Sequence, residues 1–374
     1  MNTSFHPTPR TLMGPGPSDV HPRVLGAMGK ATIGHLDPEF QGLMEEIKDL
    51  MRYTFRTSNA LTLPLSAPGS AAMEASYANL LEPGDKAIVC INGVFGMRMA
   101  ENVRRIGGEL VTVEDEWGTQ VDPEKLRAAL TANPDAKVVG FVHAETSTGV
   151  CSDVKTLCAI AKDHDCLTIV DSVTGLAGVE LEVDEWQADV TYSGTQKCLS
   201  APPGISLITF SQAAADRVKS RNTPVQSWFL DLSLLMAYWD GEGGGRTYHH
   251  TAPVNAMYGL HEALLMVKEQ GLEASWAKHR TMHNALYENL SGLGLEFVVD
   301  ASYRLPQLNL VKVPEGVDEA AVRQQLLKEF NLEIGAGLGA FAGKVWRIGL
   351  MGYAARQENV QLCTSALRAC LPGR

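Results

Sequence analysis

The segment Asp189-Val-Thr-Tyr-Ser-Gly-Thr-Gln-Lys197 begins with the strand-favouring residues Val190, Thr191 and Tyr192, passes through a small turn and reaches a lysine. Its pattern predicts a buried strand over Asp189–Ser193, with Lys197 just past the strand end. A second run of the same kind, Cys166-Leu-Thr-Ile-Val-Asp171, ends on a carboxylate. Neighbouring parallel strands bring their carboxyl ends to one edge of a sheet, so Asp171 and Lys197 are expected to lie close together.

The pair Asp171 and Lys197 matches the needs of pyridoxal 5'-phosphate chemistry. A lysine amine forms a Schiff base with the cofactor aldehyde, and an aspartate pairs with the pyridinium nitrogen so that the ring accepts electrons. Taken singly, a strand-end aspartate is more often a cap, and a lysine after a strand is usually solvated. Together they predict that Asp171 and Lys197 are catalytic residues that also bind this cofactor.

The composition is that of an ordinary globular protein with an excess of acidic residues. The 374 residues carry a formal net charge of −11, and 45% of them are hydrophobic. No lysine or arginine cluster stands out, which argues against nucleic acid or an anionic membrane as a partner. The longest apolar runs fall short of the roughly eighteen residues that suggest a membrane span.

The cysteines and the first residues bear on the compartment. Seven cysteines without C-x-x-C spacing predict reduced thiols and not a disulfide framework or a zinc site. Residues 1–10 lack the basic and apolar regions of a secretory signal. A cytoplasmic location is therefore expected.

Strand-like and helix-like segments alternate between residues 86 and 210. The predicted strands are Lys86–Ile91, Glu109–Val113, Lys137–His143, Leu167–Asp171, Asp189–Ser193 and Ile205–Phe210. Helical patterns between several of them imply an α/β fold with a largely parallel sheet covered on both faces. A long helical stretch, Val254–Leu290 with a possible break at Gly271, leads to a smaller α+β region. We therefore predict an N-terminal arm (1–20), a large cofactor-binding domain (21–260) and a small C-terminal domain (261–374).

The turn Ala67-Pro-Gly-Ser70 precedes a predicted helix and suits a phosphate group. Gly69 and Ser70 would offer free backbone N–H groups, the positive end of a helix and a hydroxyl to a phosphate dianion. The alternative is that Ser70 is an ordinary N-cap. Thr195 and Gln196, which precede Lys197, add a hydroxyl and an amide that could reach the same phosphate.

Phe95 and Arg347 are candidates for binding the cofactor ring and the substrate. Phe95 follows a predicted strand and could stack on the pyridine ring, although a lone phenylalanine is more often part of a core. Arg347 stands inside an otherwise apolar strand. A buried guanidinium is costly unless a carboxylate pairs with it, and its fork binds a carboxylate in bidentate fashion. Arg347 is predicted to bind the substrate carboxylate; the alternative is a structural ion pair.

Three other patterns are weak. His143-Ala-Glu145 matches half of a zinc deaminase signature, but no P-C-x-x-C follows. Gly335-Ala-Gly-Leu-Gly339 departs from the dinucleotide pattern and opens no βαβ unit. His249 and His250 are adjacent, so they point apart on a strand and lack a partner at metal-ligand spacing. No metal site is predicted.

Several motifs together resemble a known family. They are Met13-Gly-Pro-Gly-Pro-Ser18, Asn59-Ala-Leu-Thr-Leu63, Glu145-Thr-Ser-Thr-Gly-Val150, Asp171-Ser-Val173, Ser193-Gly-Thr-Gln-Lys197, Ala201-Pro-Pro-Gly204, Tyr248-His-His-Thr251 and Arg347-Ile-Gly-Leu350. The chain resembles the class V, fold-type I aminotransferases that use pyridoxal 5'-phosphate, most closely those of alanine–glyoxylate and serine–pyruvate type. The resemblance implies a mainly parallel seven-stranded sheet between helices, with a smaller α+β domain after it.

The resemblance also implies residue roles. Lys197 would form the Schiff base, Asp171 would hold the pyridine nitrogen and Arg347 the substrate carboxylate. Other residues implied at the cofactor are Gly69, Ser70, Phe95, Thr146, Thr195 and Gln196. Tyr248 and Thr251 would reach the phosphate of the neighbouring subunit, so the active unit would be a homodimer with shared sites. Pro68 and Phe95 depart from the family, in which a small hydroxyl residue and a tryptophan are common.

The resulting hypothesis is an aminotransferase that moves the amino group of alanine or serine to glyoxylate, giving glycine and a 2-oxo acid. Pyruvate or another small acceptor stays open, as does a lyase or cysteine desulfurase of the same fold. A desulfurase needs a cysteine on a mobile loop, and the candidate loop Gly335–Lys344 has none. A nicotinamide oxidoreductase would rest on Gly335–Gly339 alone, and an inactive binding protein would not need Lys197, Asp171 and Arg347 together.

Overall fold

The structure, a computed structural model, describes residues 3–240 and 246–371. Over these residues the strands are β1 (Thr11–Leu12), β2 (Leu61–Leu65), β3 (Lys86–Ile91), β4 (Glu109–Glu114), β5 (Val138–Val142), β6 (Ala144–Glu145), β7 (Val150–Cys151), β8 (Leu167–Asp171), β9 (Val190–Gly194), β10 (Ser206–Phe210), β11 (Leu308–Lys312), β12 (Leu332–Glu333), β13 (Gly335–Ala336) and β14 (Val345–Gly349). The helices are α1 (Pro22–Met28), α2 (Pro38–Phe55), α3 (Gly69–Leu80), α4 (Val94–Ile106), α5 (Pro123–Ala132), α6 (Val154–Asp163), α7 (Gln212–Lys219), α8 (Leu232–Trp239), α9 (Val254–Gln270), α10 (Leu272–Gly292), α11 (Glu319–Phe330) and α12 (Gln357–Cys370).

Seven strands form one central sheet in the order β2-β10-β9-β8-β5-β3-β4. All neighbours run parallel except β10, which is antiparallel to both β2 and β9. Every residue of β5, β9 and β10 is buried, as expected for strands with helices on both faces. The predicted α/β fold with a mainly parallel seven-stranded sheet is confirmed.

Among the described residues, most of the helices of the large core begin with a side-chain cap, but α3, α4 and α9 do not. Asp122 and Asp153, for example, accept hydrogen bonds from backbone N–H groups in the first turns of α5 and α6. The residues before α3 and α4, Pro68 and Gly93, provide no such cap. These two helices follow the carboxyl ends of β2 and β3, so their first N–H groups lie at the edge of the sheet where Asp171 ends β8.

A second, smaller core lies beside the antiparallel sheet β11-β14-β13. Helix α9 contributes to the large core, whereas α10 passes from the large core at Leu272 to the small one at Leu286. The break between these helices falls at Gly271, as predicted. The division into 1–20, 21–260 and 261–374 stays a proposal, and residues 1, 2, 241–245 and 372–374 of those ranges lie outside the described residues.

The N-terminal segment connects the two cores. Strand β1 pairs in parallel with β12, and Met13 is fully buried in the small core. Farther along, Ser18 hydrogen-bonds to the backbone carbonyls of Gln196 and Lys197. The segment between them therefore crosses over the predicted catalytic lysine. Among the described residues, no helix has both the length and the apolar character needed to cross a bilayer.

Candidate active site

Lys197 is buried beneath the N-terminal segment, three residues past the end of β9. Its side chain is 8% exposed, and its Nζ donates a hydrogen bond to the carbonyl of Pro15. Burial, assisted by the positive charge of Arg347, lowers the pKa of Lys197 to about 8. Gly16, at φ +112°, leaves room for this packing, because a Cβ there would lie 2.5 Å from the lysine Nζ. The amine is therefore partly neutral near physiological pH.

Asp171 ends β8 and is held from two sides. Its Oδ1 accepts a hydrogen bond from the Val173 N–H and its Oδ2 from the Tyr192 hydroxyl, both at 2.9 Å. Burial raises the pKa of Asp171 to about 7, and the charge of Lys197 acts in the opposite direction. A carboxylate oriented by two donors and buried in this way is stabilised by a cationic partner such as a protonated ring nitrogen.

Arg347 lies on β14 and is 7% exposed. Its Nε donates to the carbonyl of Ala336 at 2.7 Å, and its Nη1 donates to the carbonyl of Thr146 at 3.2 Å. Within residues 3–240 and 246–371, no carboxylate lies within ion-pair distance of this guanidinium, so the structural ion pair considered above is not found there. Burial lowers the pKa of Arg347 to about 10, which is the cost of a cation without an adjacent anion.

The start of α3, next to the Asp171 strand end, has no side-chain cap. Pro68 contributes no side-chain cap, and Ser70 is the second residue of the helix, which rules out the N-cap reading of Ser70. Gly69 packs closely on the loop after β8, since a Cβ there would lie 3.2 Å from Cγ2 of Val173. A helix of twelve residues with free N–H groups at its start favours a phosphate.

The three remaining polar residues predicted at the cofactor differ in whether their side chains have hydrogen-bond partners: Gln196, Thr195 and Thr146. The Oε1 atom of Gln196 is buried without a hydrogen-bond partner among the described residues. The Thr195 hydroxyl instead donates within its own loop, to the carbonyls of Pro202 and Ile205. The Thr146 hydroxyl is bonded to that of Thr174 at 2.6 Å. Of the three, Gln196 is the residue that lacks a partner for its side chain.

A family model for the class-V aminotransferases matches residues 15–362 of the chain. The chain belongs to the class-V aminotransferases. The alanine–glyoxylate aminotransferase of Callithrix jacchus is 41% identical over 363 residues, which is 97% of this chain and 87% of the relative. The (S)-ureidoglycine–glyoxylate transaminase of Bacillus subtilis is 38% identical over 381 residues, with coverage of 97% and 90%. A crystal structure of alanine–glyoxylate aminotransferase from Nostoc sp. matches with a TM-score of 0.96 and 42% identity, over 99% of this chain and 97% of that one.

Class-V aminotransferases depend on pyridoxal 5'-phosphate, and the residues of this aminotransferase fit that group. The fit rests on the buried Lys197 amine, the uncapped start of α3 and, among the described residues, the Asp171 carboxylate without an ion-pair partner and the Oε1 of Gln196 without a hydrogen-bond partner. The lysine amine would pair with an aldehyde, the carboxylate with a protonated ring nitrogen and the N–H groups of α3 with a phosphate.

Two predicted site residues of this aminotransferase lie on its surface. Tyr248 is 61% exposed and Thr251 is also exposed. The ring of Tyr248 lies 5.5 Å from that of His35, and the next residue in the chain, His249, stacks on Trp228 at 4.4 Å. Their roles at a neighbouring subunit's phosphate stay a proposal, since the structure describes one chain.

Phe95 is the second residue of α4, where its N–H lies 3.1 Å from Oε2 of Glu145. One face of its ring is covered by the guanidinium of Arg98, whose carbon lies 4.9 Å from the ring centroid. Sequence reasoning did not identify Glu145, Tyr192 or Pro15 as parts of the site. Tyr192 carried a readable signal, because a tyrosine in a buried strand places its hydroxyl against a buried acceptor.

Proposed function

We propose that this class-V aminotransferase binds pyridoxal 5'-phosphate and transfers the amino group of alanine or serine to glyoxylate, giving glycine and a 2-oxo acid. The observation that carries the proposal is the buried Arg347, which has no ion-pair partner among the described residues, near the Lys197 amine. The carboxylate of a small amino acid would pair with Arg347. Its amino group would then react beside Lys197. The alanine–glyoxylate relatives named above support this choice of donor and acceptor.

The cofactor site would be formed by Lys197, Asp171, Gly69, Ser70, Thr146 and Gln196, with Phe95 against the ring. When bound, pyridoxal 5'-phosphate supplies an aldehyde that takes up the donor's amino group and a ring that withdraws electrons from its α-carbon. Asp171, oriented by Tyr192 and Val173, keeps a proton on the ring nitrogen.

Arg347 and Lys197 act on the donor. The guanidinium binds the donor carboxylate and thereby fixes the direction of the α-C–H bond. The Lys197 amine, once free, takes the α-proton and later returns a proton, and its pKa of about 8 leaves a neutral fraction for this work. The carbonyl of Pro15 holds the same amine from the other side.

Other chemistries have less support. Cys198 is buried with its Sγ 3.6 Å from the Thr174 carbonyl, and burial raises the pKa of its thiol to about 12, so it is a poor nucleophile for desulfuration. Gly335–Ala336 forms β13, followed by a short 3-10 turn over Gly339–Phe341, which is not the strand–helix turn of a dinucleotide site.

We also propose that the enzyme works as a homodimer in the cytoplasm. Trp228, Phe229 and Tyr248 are large hydrophobic side chains that stay 61%, 37% and 61% exposed on one chain. Trp228 and Phe229 contact His249, and Phe229 contacts His250. Tyr248 joins the same patch through His35 and Tyr238, which reaches His250, as expected of a surface that a second subunit covers. The seven free thiols suit a reducing compartment.

A two-substrate kinetic experiment tests the proposed reaction. Purified enzyme reconstituted with pyridoxal 5'-phosphate is assayed with alanine, serine or (S)-ureidoglycine as donor and with glyoxylate or pyruvate as acceptor. Glycine formed from glyoxylate with alanine or serine, and parallel double-reciprocal lines, are the expected results. Turnover with (S)-ureidoglycine alone would show that the donor is not alanine or serine but the one named for the Bacillus subtilis relative. If no donor gives glycine, the proposal is refuted.

A further inference from the structure

Helix α4 has an unusual start. Its first residues, Val94, Phe95 and Gly96, carry backbone N–H groups that need acceptors, and the preceding Gly93 has no side chain to offer. The acceptors come from a loop about fifty residues later in the chain. The Val94 N–H donates to Oγ of Ser147 at 2.9 Å, and the Phe95 N–H donates to Oε2 of Glu145 at 3.1 Å.

Glu145 is built into this position. It is fully buried, and its Oε1 accepts from the Ser147 N–H at 2.9 Å and from the Ser147 hydroxyl at 2.5 Å. Burial raises the pKa of Glu145, while the Ser147, Phe95 and Gly96 donors lower it. A Cβ on Gly93 would lie 2.5 Å from Cγ and Cδ of Glu145, so a glycine is needed where this carboxyl group meets the helix.

The same loop holds the substrate-binding side of the site. The carbonyl of Thr146 accepts from Nη1 of Arg347, and the Thr146 hydroxyl bonds to Thr174 in the turn that follows Asp171. Glu145 also acts through its charge, because it raises the pKa of the Arg347 guanidinium against the effect of burial. Glu145 is therefore linked to the elements that carry Phe95, Arg347 and Asp171.

We propose that Glu145 is a positioning residue of the active site. It replaces the missing N-cap of α4 and so fixes Phe95 against the cofactor ring, and it anchors the loop that orients Arg347. The inference rests on the proposed function, since it assigns Glu145 a part in binding pyridoxal 5'-phosphate and the amino donor. It also explains why the phosphate is expected at α3, since the start of α4 is already occupied by a carboxylate.

The test is Glu145→Gln, compared with a matched control, Asp189→Asn. Asp189 is also a buried carboxylate that accepts a backbone N–H, from Thr168 at 3.0 Å, and a hydroxyl, from Ser211 at 2.8 Å. It lies at the amino end of β9, the edge of the sheet opposite to Lys197. Both variants are expected to lower the melting temperature of the apoprotein.

Only Glu145→Gln is expected to change cofactor binding. Its amide NH2 cannot accept a hydrogen bond, so one donor at the start of α4 or in the loop loses its acceptor. We expect the dissociation constant of pyridoxal 5'-phosphate to rise about tenfold and the visible circular dichroism of the bound cofactor to weaken. The KM for the amino donor should rise as well. Ser147→Ala, which removes the hydroxyl bonded to Glu145 and Val94, should shift the same readouts in the same direction.

The outcomes separate the two proposals. If the wild-type protein binds no pyridoxal 5'-phosphate, the proposed function fails, and the role of Glu145 fails with it. If the wild type binds the cofactor and both Glu145→Gln and Ser147→Ala match it in affinity and dichroism, the positioning role alone is refuted. A loss of affinity in Asp189→Asn equal to that in Glu145→Gln would also refute it, because the effect would then be one of general stability.

Discussion

Lys197, Asp171 and Arg347 are charged residues buried near one another without a full set of opposite charges. Burial raises the pKa of Asp171 and lowers those of Lys197 and Arg347, so in each case it favours the neutral form. In a protein that bound nothing, this arrangement would only cost stability. A cofactor with an aldehyde and a ring nitrogen, together with a substrate that carries a carboxylate, supplies the missing partners. Buried charges of this kind therefore mark a functional site.

Arg347→Ala is expected to weaken donor binding far more than it slows turnover. Loss of a desolvated charge pair costs about 2 kcal/mol or more, so the KM for alanine should rise at least about thirtyfold. Steady-state kinetics with saturating glyoxylate measures this. Arg323→Ala is the control, because Arg323 is partly buried and pairs with Glu319 within helix α11. An unchanged KM for alanine in Arg347→Ala would remove Arg347 from the substrate site.

The sequence predicts the charged residues that lie in or just after buried strands. It does not predict residues whose role depends on hydrogen bonds to the backbone of a distant segment. Lys197, Asp171 and Arg347 were readable because a charge at the end or in the middle of a buried run needs an explanation. Glu145 entered as half of a zinc pattern and as the first residue of a family motif, without a role of its own, since its contacts with Phe95 and Ser147 become visible only in three dimensions. The outward-facing Tyr248 has no local signal beyond the family resemblance.

At the scale of elements, the turn between α9 and α10 rests on a single glycine. Gly271 has φ +84° and ψ +142°, a conformation that side-chain-bearing residues rarely adopt. It lets α10 leave the large core in a new direction and reach the small one. The position of Arg347 relative to Lys197 therefore depends in part on this turn.

Gly271→Ala is expected to lower the free energy of unfolding of the apoprotein by about 1–3 kcal/mol, because alanine is strained at this φ and ψ. The control is Gly42→Ala inside α2, where the glycine is exposed and a Cβ would meet open space. That change should raise stability by up to about 1 kcal/mol. Urea denaturation of both variants measures the difference, and a neutral or stabilising Gly271→Ala would contradict this account of the turn.

Elements were predictable where pattern and environment agree. Strands β5 and β8 are buried and appear as short runs that are mostly apolar or β-branched, and β9 combines Val190, Thr191 and Tyr192, which all favour strands. Strand β2 was not predicted, because Pro64 lies within it. Proline is tolerated there because β2 is an edge strand of the central sheet and pairs only with β10.

At the scale of the whole molecule, the N-terminal segment shows what local pattern cannot reveal. The pairing of Thr11–Leu12 with Leu332–Glu333 joins residues more than three hundred positions apart. Nothing in either dipeptide indicates the other, because the contact is created by the packing of the small core. The segment then covers Lys197 through Gly16 and Ser18, so the active site is closed by residues from both ends of the chain.

A homodimer with shared sites predicts complementation between two defective variants. In a heterodimer of Lys197→Ala with Tyr248→Ala subunits, one site has both changes and the other has neither if Tyr248 serves the partner's site. Heterodimers isolated with two affinity tags should then show about half of the wild-type turnover per dimer. Each homodimeric variant serves as the control. Heterodimers no more active than the Tyr248→Ala homodimer would place Tyr248 in its own subunit's site.

The central claim is that Lys197 binds pyridoxal 5'-phosphate in a site where a small amino acid reacts. The most direct measurement is the visible absorbance of the reconstituted protein before and after addition of alanine or serine, followed by glyoxylate, with Lys197→Ala in parallel. A yellow band that is lost with the donor and restored by glyoxylate in the wild type alone is the predicted result. No band after reconstitution, or the same bleaching and recovery in Lys197→Ala, would contradict the claim.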